Sequence, residues 1–320
     1  MSGVLAAGSM YNLASSSHSE QVIEKDNRVC VSLPNKQLAN KSLKVTSLEG
    51  KAYVNWTDTE RRSAYQFLQK IVGVWKENKV AEQYLVYGKQ EPGDQSFSWE
   101  VVPYYQSSNT IGRAWQQLSV LWRIIFGGTT RSESQMQQQS EEYQKIFTIF
   151  SSSLEEGAGV VGEDIRGNDA FCNAQVIDRQ LVLEGREVNV LFNYAPIGFG
   201  GERLHFLIVP QKHKSKFSDL SESEYLEATK FAQNLMQHFT NARSIEDIYL
   251  LHKTGVDAGQ TVPHWHLHLI LSANKTQDFF GKLTVLKNML IGSSPMKGEE
   301  LTERVQSLKK ELKHLDNKSN

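Results

Sequence analysis

The sequence predicts an α+β protein built from two similar halves, each with an antiparallel sheet and one long helix. Strand-like segments lie on both sides of single long helices, without the regular alternation of strand and helix that a parallel α/β sheet requires. The same succession of helix and strands occurs twice within the 320 residues, a length that suits about two domains. We therefore expect the halves to pack together as a pseudo-dimer within one chain.

A strand motif that recurs 165 residues later indicates a duplication. The segment YLVY at 84–87 aligns with YLLH at 249–252 (249 minus 84), and Gln95 aligns with Gln260 at the same spacing. Internal repeats of this kind are typical of a duplicated structural unit.

Each copy also contains the start of a helix. Thr57 and Ser221 are each followed three residues later by a glutamate, which is the pattern of a capping box at a helix N-terminus. Aromatic residues recur in the two helices at an offset of 164, namely Phe67 with Phe231 and Trp75 with Phe239.

Composition and periodicity divide the chain into four parts. These are a Ser-rich flexible leader (1–27), a first half (28–106), a connecting segment with a helix at 111–126 (107–166) and a second half with C-terminal helices (167–320). In the second half we expect strands at 187–192, 204–209, 247–252 and 264–271, the long helix at 221–240, and further helices at 276–291 and 299–314.

Bulk properties exclude several classes of protein. The net charge of −1 gives no reason to expect nucleic acid or an anionic membrane as partner. Cys30 and Cys172 are far apart and lack CxxC spacing, which argues against a disulfide scaffold or a thiolate zinc finger and suits a reducing compartment. No segment resembles a secretory signal or a membrane span, so we expect a soluble, cytoplasmic protein.

Three histidines alternate with apolar residues near residue 266. Because successive side chains of a strand point to opposite faces, His264, His266 and His268 are expected on one face. Three interpretations are open at this point. The histidines are incidental on a solvated face, they bind a metal, since imidazole is a common zinc ligand, or one imidazole is a nucleophile assisted by its neighbours.

These residues lie in a segment that resembles a known family. HWHLHLI at 264–270 matches the alternating signature of the histidine-triad (HIT) superfamily, and GVDAGQTV at 255–262 resembles the loop of its fragile-histidine-triad hydrolases. FLIVPQKH at 206–213 is similar to the family's apolar strand ending in Pro-x-Lys-His, and FNYAP at 192–196 to its nucleoside-contacting turn. The resemblance covers about 168–272 in the family's order.

The resemblance implies roles for the three histidines. His266 is the expected nucleophile, which takes up a nucleoside 5′-phosphoryl group. His268 is expected to hydrogen-bond the phosphoryl group or the leaving group, and His264 to fix the arrangement of the imidazoles.

The resemblance also implies four substrate contacts. Gln260 and Thr261 are expected to contact phosphate oxygens, although ordinary loop chemistry also accounts for both residues. Asn193 is expected near the ribose or, alternatively, has only a turn-forming role. Lys253 stands where the family commonly has Asn or Gln, and is expected to contact phosphate or to indicate a different leaving group.

The first half lacks the histidines. The register that aligns Gln95 with Gln260 places Trp99, Val101 and Pro103 at the triad positions. None of these side chains is a nucleophile. We therefore expect a catalytically silent half that replaces a partner subunit, so that the protein is a monomer.

The sequence thus predicts a hydrolase that acts through a nucleotidyl-histidine intermediate, with no metal and no cofactor. Its expected substrates are nucleoside phosphoramidates, dinucleoside polyphosphates or adenylylated molecules. His268 favours hydrolysis, because the family's transferases tend to have Gln there. The two-half architecture, shared with galactose-1-phosphate uridylyltransferases and dinucleoside-polyphosphate phosphorylases, favours nucleotidyl transfer or phosphorolysis. A nucleotide-binding protein without turnover is a further alternative.

Overall fold

A computed structural model describes residues 21–90, 94–153, 169–197, 204–243, 245, 247–272, 287–288 and 293–316. Its strands are β1 Gln21–Lys25, β2 Val29–Leu33, β3 Lys36–Gln37, β4 Leu43–Ser47, β5 Gln83–Gln90, β6 Ser98–Tyr104, β7 Thr129–Thr130, β8 Leu181–Glu184, β9 Val188–Phe192, β10 Leu204–Pro210, β11 Asp247–Thr254 and β12 Leu267–Ser272. Its helices are α1 Asp58–Glu77, α2 Thr110–Phe126, α3 Glu133–Ser153, α4 Ala174–Gln180, α5 Glu222–Ala242 and α6 Gly298–Asp316.

The main sheet consists of two halves with the same topology. In the first half β1, β2 and β4 precede α1, and β5 and β6 follow it; in the second half β8, β9 and β10 precede α5, and β11 and β12 follow it. The strand order β1-β2-β4-β6-β5 is repeated as β8-β9-β10-β12-β11, and β5 pairs antiparallel with β11 at the centre. This arrangement confirms the α+β fold and the intrachain pseudo-dimer of two similar halves.

The long helices of the two halves pack against each other. Both predicted capping boxes are present, at Thr57 and Ser221. The buried guanidinium of Arg61, on α1, donates to the carbonyl oxygen of Leu226 at 2.7 Å and to the hydroxyl of Thr229 at 3.0 Å, both on α5. The pseudo-dimer is therefore held by buried polar contacts as well as by apolar packing.

A further helix closes each half. α3 packs against β1, and α6 packs against β8, so both helices return to the first strand of their own half. The apolar residues of α6 enter the core, and they are Leu301, Val305, Leu308, Leu312 and Leu315. The helix expected at 299–314 is thereby confirmed, whereas the one expected at 276–291 lies outside the described residues except for 287–288.

Two predicted boundaries differ from the structure. Residues 21–25, expected in the flexible leader, form β1, which pairs with β2; residues 1–20 lie outside the described part of the chain. The strand expected at 264–271 begins at Leu267, three residues later.

The ungapped strand alignment at 165 residues is wrong in the sheet. Tyr84 packs in the core on the side of α1 and α5, whereas Tyr249 packs in the cluster on the opposite side. An odd offset exchanges the two faces of a strand. The even offset of 164 found in the helices instead aligns Tyr87 with Leu251, which share one face.

The same error affects the positions assigned to the silent half. Trp99 and Val101 face the helix side, and Pro103 lies opposite Tyr84 on that side. The face that carries His268 in β12 is occupied in β6 by residues such as Glu100, opposite Tyr87. The prediction therefore named the wrong residues at the positions that correspond to the triad. The predicted lack of histidines is nevertheless correct, because β6 (SWEVVPY) contains none on either face.

No helix in the described ranges is both long and apolar enough to cross a membrane.

Candidate active site

The three histidines lie where the chain enters β12, on the sheet face opposite α1 and α5. The rings of His266 and His268 have centroids 4.6 Å apart. His264 is turned away from this pair: its Nδ1 lies 2.6 Å from a carboxylate oxygen of Asp169 and its Nε2 lies 3.1 Å from the carbonyl oxygen of Pro210. Both of its nitrogens face acceptors, so His264 is fixed in place and is not available for attack.

His266 has the tautomer that a nucleophile needs. Its Nδ1 donates a hydrogen bond to the carbonyl oxygen of His264 at 2.8 Å. The proton of the neutral ring is therefore on Nδ1, and Nε2 keeps its lone pair. Burial lowers the pKa of His266 to about 4, so the ring is neutral near pH 7. The edge of Phe171, 5.2 Å away between centroids, packs against this ring.

His268 has the opposite tautomer, because the buried His205 donates a hydrogen bond to its Nδ1. His205 Nδ1 lies 3.1 Å from the backbone N–H of Ile197 and 3.1 Å from the amide of Asn193, so it accepts. The proton of His205 is therefore on Nε2, and this N–H donates to His268 Nδ1 at 2.9 Å. Since Nδ1 of His268 accepts, its Nε2 carries the proton. Burial also lowers the pKa of His205 to about 3, which keeps this ring neutral.

A cluster of possible metal ligands lies behind His264. Asp169, Cys172, His213 and His264 each offer one ligand atom, and these atoms all lie within 4.8 Å of one another. Thiolate, imidazole and carboxylate are the ligands that zinc prefers, so the donor set fits this ion. Cys172 is distant from the triad in sequence but close to it in the fold, since its Sγ is 3.8 Å from Nδ1 of His264.

The carboxylate of Asp169 organises this cluster. It accepts from His213 Nδ1 at 2.9 Å and from the thiol of Cys172 at 3.0 Å, in addition to His264. Burial raises the pKa of Asp169, but these hydrogen bonds outweigh it and lower the pKa to about 2. Asp169 is therefore ionised and holds the loop of His264 in place.

Two of the predicted substrate contacts have hydrogen-bond partners within the fold, and a third is exposed. Gln260 accepts from the backbone N–H of Gly255 at 2.7 Å and donates to the carbonyl oxygen of Ser215 at 2.9 Å, so it closes the loop. Asn193 contacts His205 and accepts from the backbone N–H of Ala195. Thr261 is exposed. Their substrate roles remain predictions.

Lys253 is placed differently. It lines a small cavity together with His268, and no hydrogen bond or ion pair engages its amine within the described part of the chain. Burial lowers the pKa of Lys253. An amine without a partner among the described residues, in a cavity wall that it shares with His268, is suited to meet an anionic group.

The silent half holds the loop that precedes the triad. Gln83, at the start of β5, donates to the buried carboxylate of Asp257 at 2.6 Å and accepts from the backbone N–H of Asp257 at 2.7 Å. From α2, Arg113 donates to the same carboxylate at 2.8 Å, and Gln117 donates to the carbonyl oxygen of Asp257 at 3.0 Å. The loop is thus positioned by residues from outside the second half.

We predict that Gln83→Ala lowers kcat/KM about tenfold, because the loop loses two of its fixed hydrogen bonds, each worth about 1 kcal/mol. The same loss should lower the melting temperature by only a few degrees. Steady-state kinetics and thermal unfolding measure both effects, with Gln66→Ala on the surface of α1 as the matched control. Equal activity of the two variants would show that the silent half does not position the loop.

Some residues of the site were not predicted. His205 had a signal in the sequence, since it is the one polar side chain in the apolar strand 204–209. Asp169 and Cys172 had no such signal, because the histidines they contact are distant in the chain. His213 and His264 lie 44 and 95 residues from Asp169, and 41 and 92 residues from Cys172.

The site brings together two imidazoles of opposite tautomer, those of His266 and His268. Residues 174–275 match the family model described as the HIT domain. These residues, within the second half, therefore form a HIT domain, and the first half repeats the strand topology of the second without the histidines.

Individual relatives match shorter segments. A bis(5′-nucleosyl)-tetraphosphatase (asymmetrical) of Schizosaccharomyces pombe is 35% identical over 75 residues, which are 23% of this chain and 40% of that protein. An uncharacterized HIT-like protein of Chlamydia trachomatis is 35% identical over 71 residues, which are 21% of this chain and 60% of that protein. The chain thus spans less than two thirds of either relative.

A solved uridylyltransferase structure matches nearly the whole fold. It covers 89% of this chain and 86% of its own, with a TM-score of 0.52 and 10% sequence identity. This likeness concerns the two-half architecture alone.

Proposed function

We propose that the protein hydrolyses a nucleoside 5′-phosphoryl bond through a nucleotide covalently bound to His266. The observation that supports this most is the pair of opposite tautomers, an Nε2 lone pair on His266 beside an Nε2–H on His268. One ring can attack while the other donates a proton. Such complementary roles are the basis of nucleophilic catalysis with general acid assistance.

In the first step, His266 Nε2 forms a bond to phosphorus and the bond from phosphorus to the leaving group breaks. The leaving group takes the proton from His268 Nε2, and the negative charge that this leaves on His268 is balanced by the positive charge that forms on the ring of His266, 4.6 Å away, and by the amine of Lys253. The resulting charge on His266 is relieved by the Nδ1–H bond to the His264 carbonyl oxygen, and Lys253 faces the phosphoryl oxygens. In the second step, water attacks phosphorus, His268 Nε2 accepts a proton from this water, and His266 leaves with its lone pair restored.

A zinc ion could be held by Asp169, Cys172, His213 and His264. As a Lewis acid it would bind the ring of His264 and so fix the position of this residue. The proposed reacting atoms belong to His266 and His268, which are not members of this cluster. The protein's own contribution there is the carbonyl oxygen of His264, which sets the tautomer of His266 with or without an ion.

Hydrolysis is favoured over transfer because His268 can return a proton to the site. An imidazole can donate to the leaving group and then accept from water, whereas an amide side chain has no such acid–base pair. We further propose that the protein acts as a monomer, in which the silent half takes the place of a partner, and that it acts in the cytoplasm, where Cys30 and Cys172 stay reduced.

Product analysis tests this proposal. Adenosine and guanosine phosphoramidates should yield the monophosphate even in millimolar phosphate and sugar phosphates. Preferential formation of a nucleoside diphosphate or a nucleotide sugar would instead support a transferase or phosphorylase. Nucleotide binding with no turnover would support a binding protein.

A further inference from the structure

The helix α2, in the segment between the two halves, has apolar side chains on two opposite faces. Its inner face packs on the sheet, where Val120 is buried. Polar bonds fix this orientation, because Arg113 donates to the carboxylate of Asp257 at 2.8 Å and Arg123 donates to the carbonyl oxygen of Leu38 at 2.9 Å. The helix is therefore held with its other face directed away from the core.

The other face carries a row of apolar side chains, which we call the outer ridge. The row recurs at the spacing of three or four residues that places side chains on one side of a helix. It consists of Ile111, Trp115, Leu118, Trp122 and Phe126. Ile111 is 83% exposed, Trp115 70% and Trp122 46%, whereas Leu118 and Phe126 are half-buried. The outer ridge is therefore most exposed at the N-terminal end of the helix.

Exposure of tryptophan is confined to the outer ridge. All six tryptophans of the chain lie in the described ranges, and four of them are at most 3% exposed, namely Trp56, Trp75, Trp99 and Trp265. Monomeric proteins rarely leave large apolar side chains exposed next to each other, and such a patch typically marks a surface that binds a protein or a membrane.

The charges around the outer ridge distinguish between these two partners. Residues 101–132 contain no acidic residue but three arginines, Arg113, Arg123 and Arg131. Arg113 is paired with the carboxylate of Asp257, whereas Arg123 and Arg131 donate to uncharged carbonyl and amide oxygens. The charge of −1 for the whole chain is therefore unevenly distributed, and the stretch that carries the outer ridge is positive.

The shape of the outer ridge favours a lipid surface over a protein. A helix that lies in a membrane interface buries one apolar face by about 5–10 Å, with tryptophan at that depth and basic residues nearby. A stable protein interface takes about 20–30 residues a side, whereas the outer ridge is a single row of five side chains. A bilayer covers such a row without a matching protein surface.

We propose that the outer ridge of α2 binds the protein reversibly to a membrane surface that contains anionic phospholipids. Ile111 and Trp115 enter the bilayer deepest, because they are the most exposed, and Arg123 and Arg131 supply positive charge for the lipid phosphates. The helix lies along the surface and does not cross it. This inference does not depend on the hydrolysis proposed above.

Tryptophan fluorescence and cosedimentation test the proposal with the full chain. Vesicles of phosphatidylcholine and phosphatidylserine in equal parts, with brominated acyl chains, should quench the emission, because Trp115 and Trp122 reach the bromine atoms. Vesicles of phosphatidylcholine alone should bind at least about tenfold more weakly, since each basic residue near an anionic surface increases the affinity about fivefold.

A charge placed in the outer ridge should prevent binding. Ile111→Asp is expected to lower the partition coefficient by at least about tenfold, because burial of a large apolar side chain is worth about 10- to 100-fold. The helix should remain folded, since an acidic residue in the first turn is favourable, and thermal unfolding checks this. Ile149→Asp, at an exposed apolar position of α3, is the matched control and should bind like wild type.

The other possible occupants of the outer ridge give different results. Without vesicles, acrylamide in the buffer should quench part of the emission; if it quenches none, another segment of the chain or a second copy covers Trp115 and Trp122. A wild-type dimer that Ile111→Asp converts to a monomer would assign the outer ridge to a second copy. Equal partition of wild type and Ile111→Asp, or no partition into either kind of vesicle, would also overturn the proposal.

Discussion

His266→Ala is expected to abolish turnover, with a loss of at least about 10⁴-fold in kcat, while the protein stays folded. The removed ring supplies the only Nε2 lone pair that the described triad presents to a substrate, because His264 is engaged on both nitrogens and Nε2 of His268 is protonated. Removal of a nucleophile from a catalytic unit typically costs several orders of magnitude. Single-turnover kinetics with a nucleoside phosphoramidate measure the loss.

The matched control is His238→Ala, which removes a histidine that contacts Glu311 between α5 and α6, and α5 lies on the sheet face opposite the triad. It should retain wild-type kcat. If His266→Ala keeps activity within a few-fold of wild type, the chemistry lies elsewhere in the molecule.

His268→Phe is expected to have the second largest effect, a loss of about 10²–10⁴-fold in kcat for phosphoramidates. The amine leaving group needs a proton, and the His205 contact makes His268 its donor. A nucleoside 5′-(4-nitrophenyl) phosphate has a leaving group that departs without a proton. Its hydrolysis should be impaired far less, since only positioning is lost.

The ratio of the two losses is therefore the informative quantity. A purely structural effect of the substitution would lower both rates equally, and so would contradict the role of His268 as proton donor. His205→Phe should produce the same leaving-group dependence to a smaller degree, because it removes the hydrogen bond that sets the tautomer but keeps the ring of His268.

Much of the fold could be predicted from local patterns. The capping boxes at Thr57 and Ser221 and the apolar periodicity of α5 and α6 depend on residues within a few positions of each other, and these elements were located correctly. Strand register depends on pairing with distant residues. The alignment at 165 therefore erred by one residue, which was enough to exchange the two faces of the sheet.

The candidate site was predicted in the same uneven way. The histidines at alternate positions were visible in the sequence, and so was Lys253, which lines the cavity. The tautomers were not, because they are set by Ile197, by His205 and by the carbonyl oxygen of His264. The substrate contacts expected of Asn193 and Gln260 remain predictions; in the structure the amide of Asn193 contacts His205 and that of Gln260 closes the loop.

The central claim, a nucleotide bound covalently to His266, is tested most directly by the stereochemical course at phosphorus. A nucleoside 5′-phosphorothioamidate of known configuration, hydrolysed in isotopically labelled water, gives a product whose configuration can be assigned by NMR. Two successive in-line displacements, first by His266 and then by water, predict overall retention. Overall inversion would mean that water attacks the substrate directly, and would contradict the covalent intermediate.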